Sequence, residues 1–129
     1  MTGKFGKILL VDDDEVFLTF MEVFLEEEYD TIPAKSVKEA LECVNKDNVP
    51  DLILLDIMLP DMNGWEIFNT FKSISFLKNI PIAFLTSNSE PEDIDHAMEI
   101  GAADYIVKPC DKPVLLKKIQ NIIKKNKSL

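Results

Sequence analysis

A chain of 129 residues has room for one hydrophobic core, and 47% hydrophobic with 29% charged residues is the balance of a globular chain, not a disordered or fibrous one. The net charge is −9 and all fourteen basic residues are lysines, so the arginines that read guanine edges or clamp phosphates are missing and direct nucleic-acid binding is not expected. Apolar runs fall short of the roughly 20 residues of a membrane-crossing helix, and Cys43 and Cys110, 67 positions apart, make neither a disulfide framework nor a zinc set. These readings predict a single domain over residues 1–129, with a core from about 7 to 123, that is cytoplasmic, not inserted in a membrane, and has reduced thiols.

Short apolar runs alternate with longer helical patterns along the chain. A strand over residues 7–12 precedes a helix marked by Phe17, Phe20, Met21 and Phe24. A second strand covers 30–34, and Ser36 with Glu39, at capping-box spacing, opens a helix carrying Val37, Ala40, Leu41 and Val44. The strand at 52–56 leads, through Asn63-Gly64, to a short helix at 65–71. The strand at 80–86 leads to a helix opened by Ser89 with Glu92, with Pro91 in its first turn and Ile94, Ala97 and Met98 on its apolar face. A last strand at 104–108 is followed by Pro113 and a helix with Leu115, Leu116, Ile119, Ile122 and Ile123. Ile8-Leu9-Leu10-Val11, Leu52-Ile53-Leu54-Leu55 and Ile82-Ala83-Phe84-Leu85 are continuously apolar, as strands buried on both faces of a parallel sheet are. Five strand–helix units in this order predict a doubly wound α/β sheet.

Charge is uneven along the chain. From Asp12 to Asp30 nine side chains are acidic and none is basic, whereas Lys117, Lys118, Lys124, Lys125 and Lys127 crowd the other end, as a solvated helix face or a docking surface for an acidic partner.

In a doubly wound sheet the ligand site lies beyond the carboxyl ends of the strands. There the first strand ends in Asp12, Asp13 and Asp14, the third in Asp56, the fourth in Thr86 and the fifth in Lys108 followed by Pro109. Taken singly, these read as a helix cap, a loop carboxylate, a strand threonine and a surface lysine. Together they converge on one crevice. Carboxylates so crowded repel one another unless they protonate or a cation neutralises them, and hard oxygen donors suit Mg²⁺ with phosphate oxygens completing its shell. Asp56 then reads as a nucleophile toward phosphorus, with Asp13 and Asp56 holding the metal and the Thr86 hydroxyl and Lys108 ammonium each taking a phosphoryl oxygen.

The stretches Ile8-Leu9-Leu10-Val11-Asp12-Asp13-Asp14, Leu54-Leu55-Asp56-Ile57-Met58-Leu59-Pro60-Asp61-Met62-Asn63-Gly64, Phe84-Leu85-Thr86-Ser87 and Gly101-Ala102-Ala103-Asp104-Tyr105-Ile106-Val107-Lys108-Pro109 resemble those of response-regulator receiver domains, the phosphoproteins of two-component and phosphorelay signalling. The resemblance runs from about Lys7 to Ile123. It implies a flavodoxin-like sheet of order 2-1-3-4-5 with five flanking helices. It also implies phosphorylation of Asp56 by a phosphohistidine of a sensor histidine kinase or histidine phosphotransfer protein. Mg²⁺ or Mn²⁺ would be held by Asp12, Asp13, Asp56 and the Met58 backbone carbonyl, with Asp12 often acting through water. Thr86 and Lys108 would contact the phosphoryl group, Lys108-Pro109 would be cis, and Thr86 with Tyr105 would form the switch that informs a downstream protein target through the fourth helix, fifth strand and fifth helix. Met58 and Asn88 would flank the path of the attacking water, with Met58 shielding the phosphoryl group and dephosphorylation slow.

Ser87, where the family usually has alanine, and Cys110, where a bulky apolar residue is common, depart from the pattern. His96 reads as a surface residue and Trp65 as a packing residue. Such a module is a switch that catalyses only its own phosphorylation and dephosphorylation, and with no output domain after the fifth helix it is expected to signal by protein contact. A haloacid-dehalogenase-type phosphatase would use Asp12-Asp13-Asp14-Glu15-Val16, but it needs a further acidic pair beyond the lysine, where Asp111 is the sole acid, and it leaves Asp56 without a role. A receiver-like interaction module without chemistry would not need Asp56, Thr86 and Lys108 together.

Overall fold

Ile8, Leu9, Leu10 and Val11 are all buried, because helices cover both faces of the strand they form. The computed structural model describes residues 4–60 and 62–127. Asp61 of the third strand's motif, and the ends of the 1–129 span, lie outside the described residues. The elements run β1 (Gly6–Val11), α1 (Glu15–Leu25), β2 (Tyr29–Ala34), α2 (Val37–Cys43), β3 (Leu52–Leu55), α3 (Gly64–Ser73), β4 (Ile82–Thr86), α4 (Pro91–Glu99), β5 (Asp104–Val107) and α5 (Lys112–Lys127). All pairings are parallel and the sheet order is β2-β1-β3-β4-β5, the doubly wound arrangement expected. No helix among the described residues is long and apolar enough to cross a membrane.

Strand alternation divides the core in two. Ile8, Leu10, Leu52, Leu54, Ala83, Leu85 and Ile106 face α1 and α5, where Leu18, Met21, Leu25, Leu115, Ile119 and Ile123 meet them. Leu9, Val11, Ile53, Leu55, Phe84 and Tyr105 face α2, α3 and α4, which supply Ala40, Ile67, Phe68, Phe71 and Ala97.

Three expectations about helices need correction. On α1 the core stripe is Leu18, Met21 and Leu25, so Met21 is in the core as expected but Phe17, Phe20 and Phe24 are not. Both sets have helical spacing and lie one residue apart, about 100° round the helix, and the sheet takes the branched and flexible side chains. Phe20 is 57% exposed, with Phe17 and Phe24 half-buried at the margin. Leu41 and Met98, assigned to the core faces of α2 and α4, are likewise exposed. Ser89 does not cap α4. Pro91 fits the first helical position and keeps Glu90 extended (φ −66°, ψ 126°), so Glu90 is the cap residue, without a side-chain cap bond, and Ser89 falls outside. Ser36 does cap α2, its Oγ accepting from Glu39 N at 3.2 Å, while Glu39 Oε1 accepts from Lys35 N one residue further back.

The loop after β3 is closed by a close approach. Gly64 N donates to Ile57 O at 3.1 Å, and a Cβ on Gly64 would lie 2.6 Å from Ile57 Cα, so a side chain there has no room. Asn63 caps α3 by accepting from Glu66 N at 3.0 Å, which starts the helix at Gly64, one residue earlier than its apolar pattern shows. Asp56 and Met58 are thus held on a short, anchored segment.

Candidate functional site

Parallel pairing continues one step past the strands. Asp12 N donates to Ala34 O at 3.0 Å, Asp56 N to Val11 O at 3.0 Å and Lys108 N to Thr86 O at 2.8 Å. These bonds fix the backbones of the residues whose side chains meet at the carboxyl edge. Among the described residues, the buried polar or charged ones are Asp12, Asp56 and Thr86, and all three stand at this edge. Burying such groups is costly unless each is paired, so their gathering here in an apolar sheet marks a site.

Each carboxylate is oriented by a local amide. Asp14 N donates to Asp12 Oδ1 at 2.9 Å and Met58 N to Asp56 Oδ1 at 2.9 Å. Asp14 itself caps α1, accepting from Val16 N and Phe17 N. The second oxygens turn toward one cation: Lys108 Nζ lies 2.7 Å from Asp12 Oδ2 and 3.5 Å from Asp56 Oδ2. Asp12, Asp13 and Asp56 each bring one oxygen to within 4.8 Å of the others. Burial raises the Asp12 carboxyl above its ordinary pKa; the bond from Lys108 and the Asp14 amide partly offset this, and the Asp56 charge adds to it. Two of the three carboxylates, Asp12 and Asp56, share the Lys108 ammonium, and Asp13 adds a third negative charge beside them. That surplus, in hard oxygen donors, fits a divalent cation of the Mg²⁺ kind.

Thr86 is fully buried and its Oγ1 accepts from Asn88 N at 3.3 Å. Asn88 O in turn accepts from the Tyr105 hydroxyl at 2.6 Å, and the Tyr105 ring packs on Phe84 with centroids 6.1 Å apart. Burial, with the nearby Asp93 and Asp56 charges, raises the Tyr105 pKa and keeps this hydroxyl a donor. The Lys108-Pro109 bond is cis. The Met58 side chain is 60% exposed beside Asp56. Both polar groups of the Asn88 side chain are engaged at the start of α4, Oδ1 with Glu90 N and Nδ2 with Asp93 Oδ2. His96 is exposed and meets the Trp65 ring edge-on at 4.6 Å, and Trp65 packs edge-on against Phe84 at 5.3 Å. Cys43 and Cys110 are both free.

Sequence reasoning missed one neighbour of the site. Phe17, assigned to a core stripe, places its ring centroid 3.9 Å from Lys108 Nζ. The signal was available in its position three residues after Asp14, which as the helix cap sets the first turn of α1 beside the acidic pair.

A family model described as the response regulator receiver domain matches residues 8–120. A probable cyclic di-GMP phosphodiesterase of Vibrio cholerae is 38% identical over 94% of this chain and 27% of its own length. The alkaline phosphatase synthesis transcriptional regulatory protein PhoP of Bacillus subtilis is 35% identical over 93% of this chain and 49% of its length. This chain therefore spans half or less of these curated relatives. The non-phosphorylated HemR receiver domain of Leptospira biflexa is 32% identical, with a TM-score of 0.80 and coverage of 91% of this chain and 93% of that one.

Proposed function

We propose, from the premise that this chain belongs to the response regulator receiver domain family, that Asp56 is the residue through which it acts as a phosphoacceptor. Receiver domains are signalling switches, and that much holds for this chain. The observation that carries the assignment is that Asp12, Asp56 and Thr86, the buried polar residues of the described chain, all stand at the carboxyl edge of the sheet, where Asp12 and Asp56 share the Lys108 ammonium.

The phosphoryl group comes from a phosphohistidine of a sensor kinase or phosphotransfer protein: the P–N bond breaks, its electron pair stays on the imidazole, and a P–O bond forms to Asp56. Met58 N holds Asp56 Oδ1, so we assign the oxygen nearer Lys108 as the nucleophile. Asp12, Asp13, Asp56 and the Met58 carbonyl would hold Mg²⁺ or Mn²⁺, which when bound supplies neutralising charge for phosphoryl oxygens. Lys108 turns its ammonium from the carboxylates to a phosphoryl oxygen, and the Thr86 hydroxyl donates to another. Thr86, Asn88 and Tyr105 form a hydrogen-bonded chain, so a Thr86 hydroxyl drawn to the phosphoryl group releases Asn88 N and disturbs the carbonyl that holds Tyr105. That disturbance reaches the face of α4, β5 and α5, where a downstream protein would read it. Neither the Met58 thioether nor the engaged Asn88 side chain offers a base to an attacking water, which favours a slow return to the unphosphorylated state.

Acetyl phosphate with Mg²⁺ tests the assignment, read by intact mass. The expected result is one added phosphoryl group on the wild type and none on Asp56→Asn. Undiminished labelling of the Asn variant would overturn it.

A further inference from the structure

Lys108 is held from three sides, and two of them are carboxylates that a phosphoryl group would compete with. Its Nζ lies 2.7 Å from Asp12 Oδ2, 3.5 Å from Asp56 Oδ2 and 3.9 Å from the centroid of the Phe17 ring. A lysine ammonium is a compact charge on a flexible four-carbon stem with three N–H groups to place. Of the two carboxylates Asp12 holds it the more closely, and both would have to release it to an incoming phosphate. The ring face offers a third attraction, one that does not use the electrons of any oxygen and does not compete with an incoming phosphate.

The ring is well anchored to serve this purpose. Phe17 lies in the first turn of α1, where its own N–H is bound at 3.2 Å by the capping carboxylate of Asp14. One margin of the ring packs on the α1–α5 half of the core, and another borders an open apolar groove of about 390 Å³ shared with Phe20, Phe24, Pro109 and Cys110. The analogous pair one helical stretch on is looser, with Lys112 Nζ 5.1 Å from the Phe24 centroid.

We propose that Phe17 is a positioning residue for phosphoryl transfer, its ring holding the Lys108 ammonium where it meets the incoming phosphoryl group. This rests on the reading of Asp56 as phosphoacceptor and Lys108 as its cationic partner. Because Phe17 is half-buried, with one margin on the core and another on a groove, leucine is the replacement that disturbs the packing least.

The experiment compares wild type, Phe17→Leu, Phe17→Tyr, Lys108→Ala and the double variant Phe17→Leu with Lys108→Ala. It reads the maximal rate and half-saturating concentration of labelling by acetyl phosphate with Mg²⁺, and the proton resonances of the Lys108 ε-methylene without metal. Phe17→Leu should lower the maximal rate about tenfold with little change in half-saturation, and Phe17→Tyr, which keeps the ring, should stay within about twofold of wild type. The loss should vanish on the Lys108→Ala background. In wild type and Phe17→Tyr the ε-methylene resonances should be displaced upfield by the ring, and in Phe17→Leu they should not. A Phe17→Leu protein that labels at the wild-type rate, an equal loss without Lys108, or undisplaced resonances in the wild type would each overturn the proposal; Phe17→Met replaces the leucine variant if thermal melting shows the latter unfolded. Failure of the Asp56 reading is a separate result, labelling that survives Asp56→Asn, and leaves the ring displacement unchanged.

Discussion

At the amino ends of the strands, charges meet in exposed pairs: Lys4 with Asp30 at 3.3 Å, Lys118 with Asp104 at 3.7 Å and Lys127 with Asp51 at 3.6 Å, every side chain at least 28% exposed. At the carboxyl ends the carboxylates of Asp12, Asp13 and Asp56 cluster, and the buried two, Asp12 and Asp56, share Lys108. The first arrangement cancels its own charge and leaves the remainder to water, which makes each pair worth little. The second keeps a negative surplus where water screens it poorly. A sheet needs its loops tied at both ends, but folding alone does not call for an unbalanced acidic cluster at one of them. The carboxyl end is built to receive cationic charge.

Removing Lys108 should therefore show the largest effect. Lys108→Met leaves Asp12 and Asp56 facing each other with no positive partner, and we expect it to cost about 2 kcal/mol in metal-free buffer, below the range for fully buried pairs because Lys108 is 21% exposed. Saturating Mg²⁺ should return a larger part of that loss than it adds to the wild type, since it neutralises a larger surplus. Urea unfolding with a chelator and with Mg²⁺ measures both. If Lys108→Met melts out at the wild-type urea concentration, the two ends of the sheet do not differ in the way their geometry implies.

A smaller effect sharpens the same contrast through pH. Burial raises the pKa of Asp12 in the folded protein, so on acidification the folded state takes up this proton before the unfolded chain does. The contribution of this group is therefore fully present below its ordinary value of 3.8 and is lost as pH rises through the raised value. In metal-free buffer Asp12→Asn, which carries no such charge, should compare best with wild type at neutral pH and lose ground as pH falls toward 3.8. A stability difference between the two proteins that is flat with pH would show that Asp12 does not feel its burial.

How much of this was legible depended on whether a signal was local. The strands were, because Ile8 to Val11 and Leu52 to Leu55 can be continuously apolar only if covered on both sides. So was the site, since Asp12, Asp56, Thr86 and Lys108 close consecutive apolar runs, and a parallel sheet brings its strand ends together whatever the intervening helices do. The face of α1 was not. Phe17-Phe20-Phe24 and Leu18-Met21-Leu25 satisfy the same periodicity, and which one turns inward is decided by the shape of the sheet and of α5, information spread over the whole fold. The contact between Phe17 and Lys108 was hidden for the same reason, joining positions brought together only by the completed sheet. At α4 the capping-box spacing of Ser89 and Glu92 misled because Pro91 outranked it: a ring that fixes φ sets the helix start more firmly than one side-chain hydrogen bond does.

The smallest effect belongs at the amino end. Lys127 is 58% exposed and stands 3.6 Å from Asp51, in the last turn of α5, where a lysine also favours the helix dipole. Replacing it by alanine should change stability by less than about 0.5 kcal/mol, and high salt should remove most of even that. Asp51 has a second task, since its Oδ2 accepts from Lys7 N at 2.8 Å at the start of β1. Asp51→Ala should accordingly cost about 1 kcal/mol, most of it insensitive to salt, because the lost partner is a backbone amide and not the lysine. Urea unfolding of both variants at low and high salt separates the two contributions. If Lys127→Ala were as costly as Lys108→Met, a single exposed pair would be doing what we ascribe to a buried imbalance, and the distinction between the two ends of the sheet would fail.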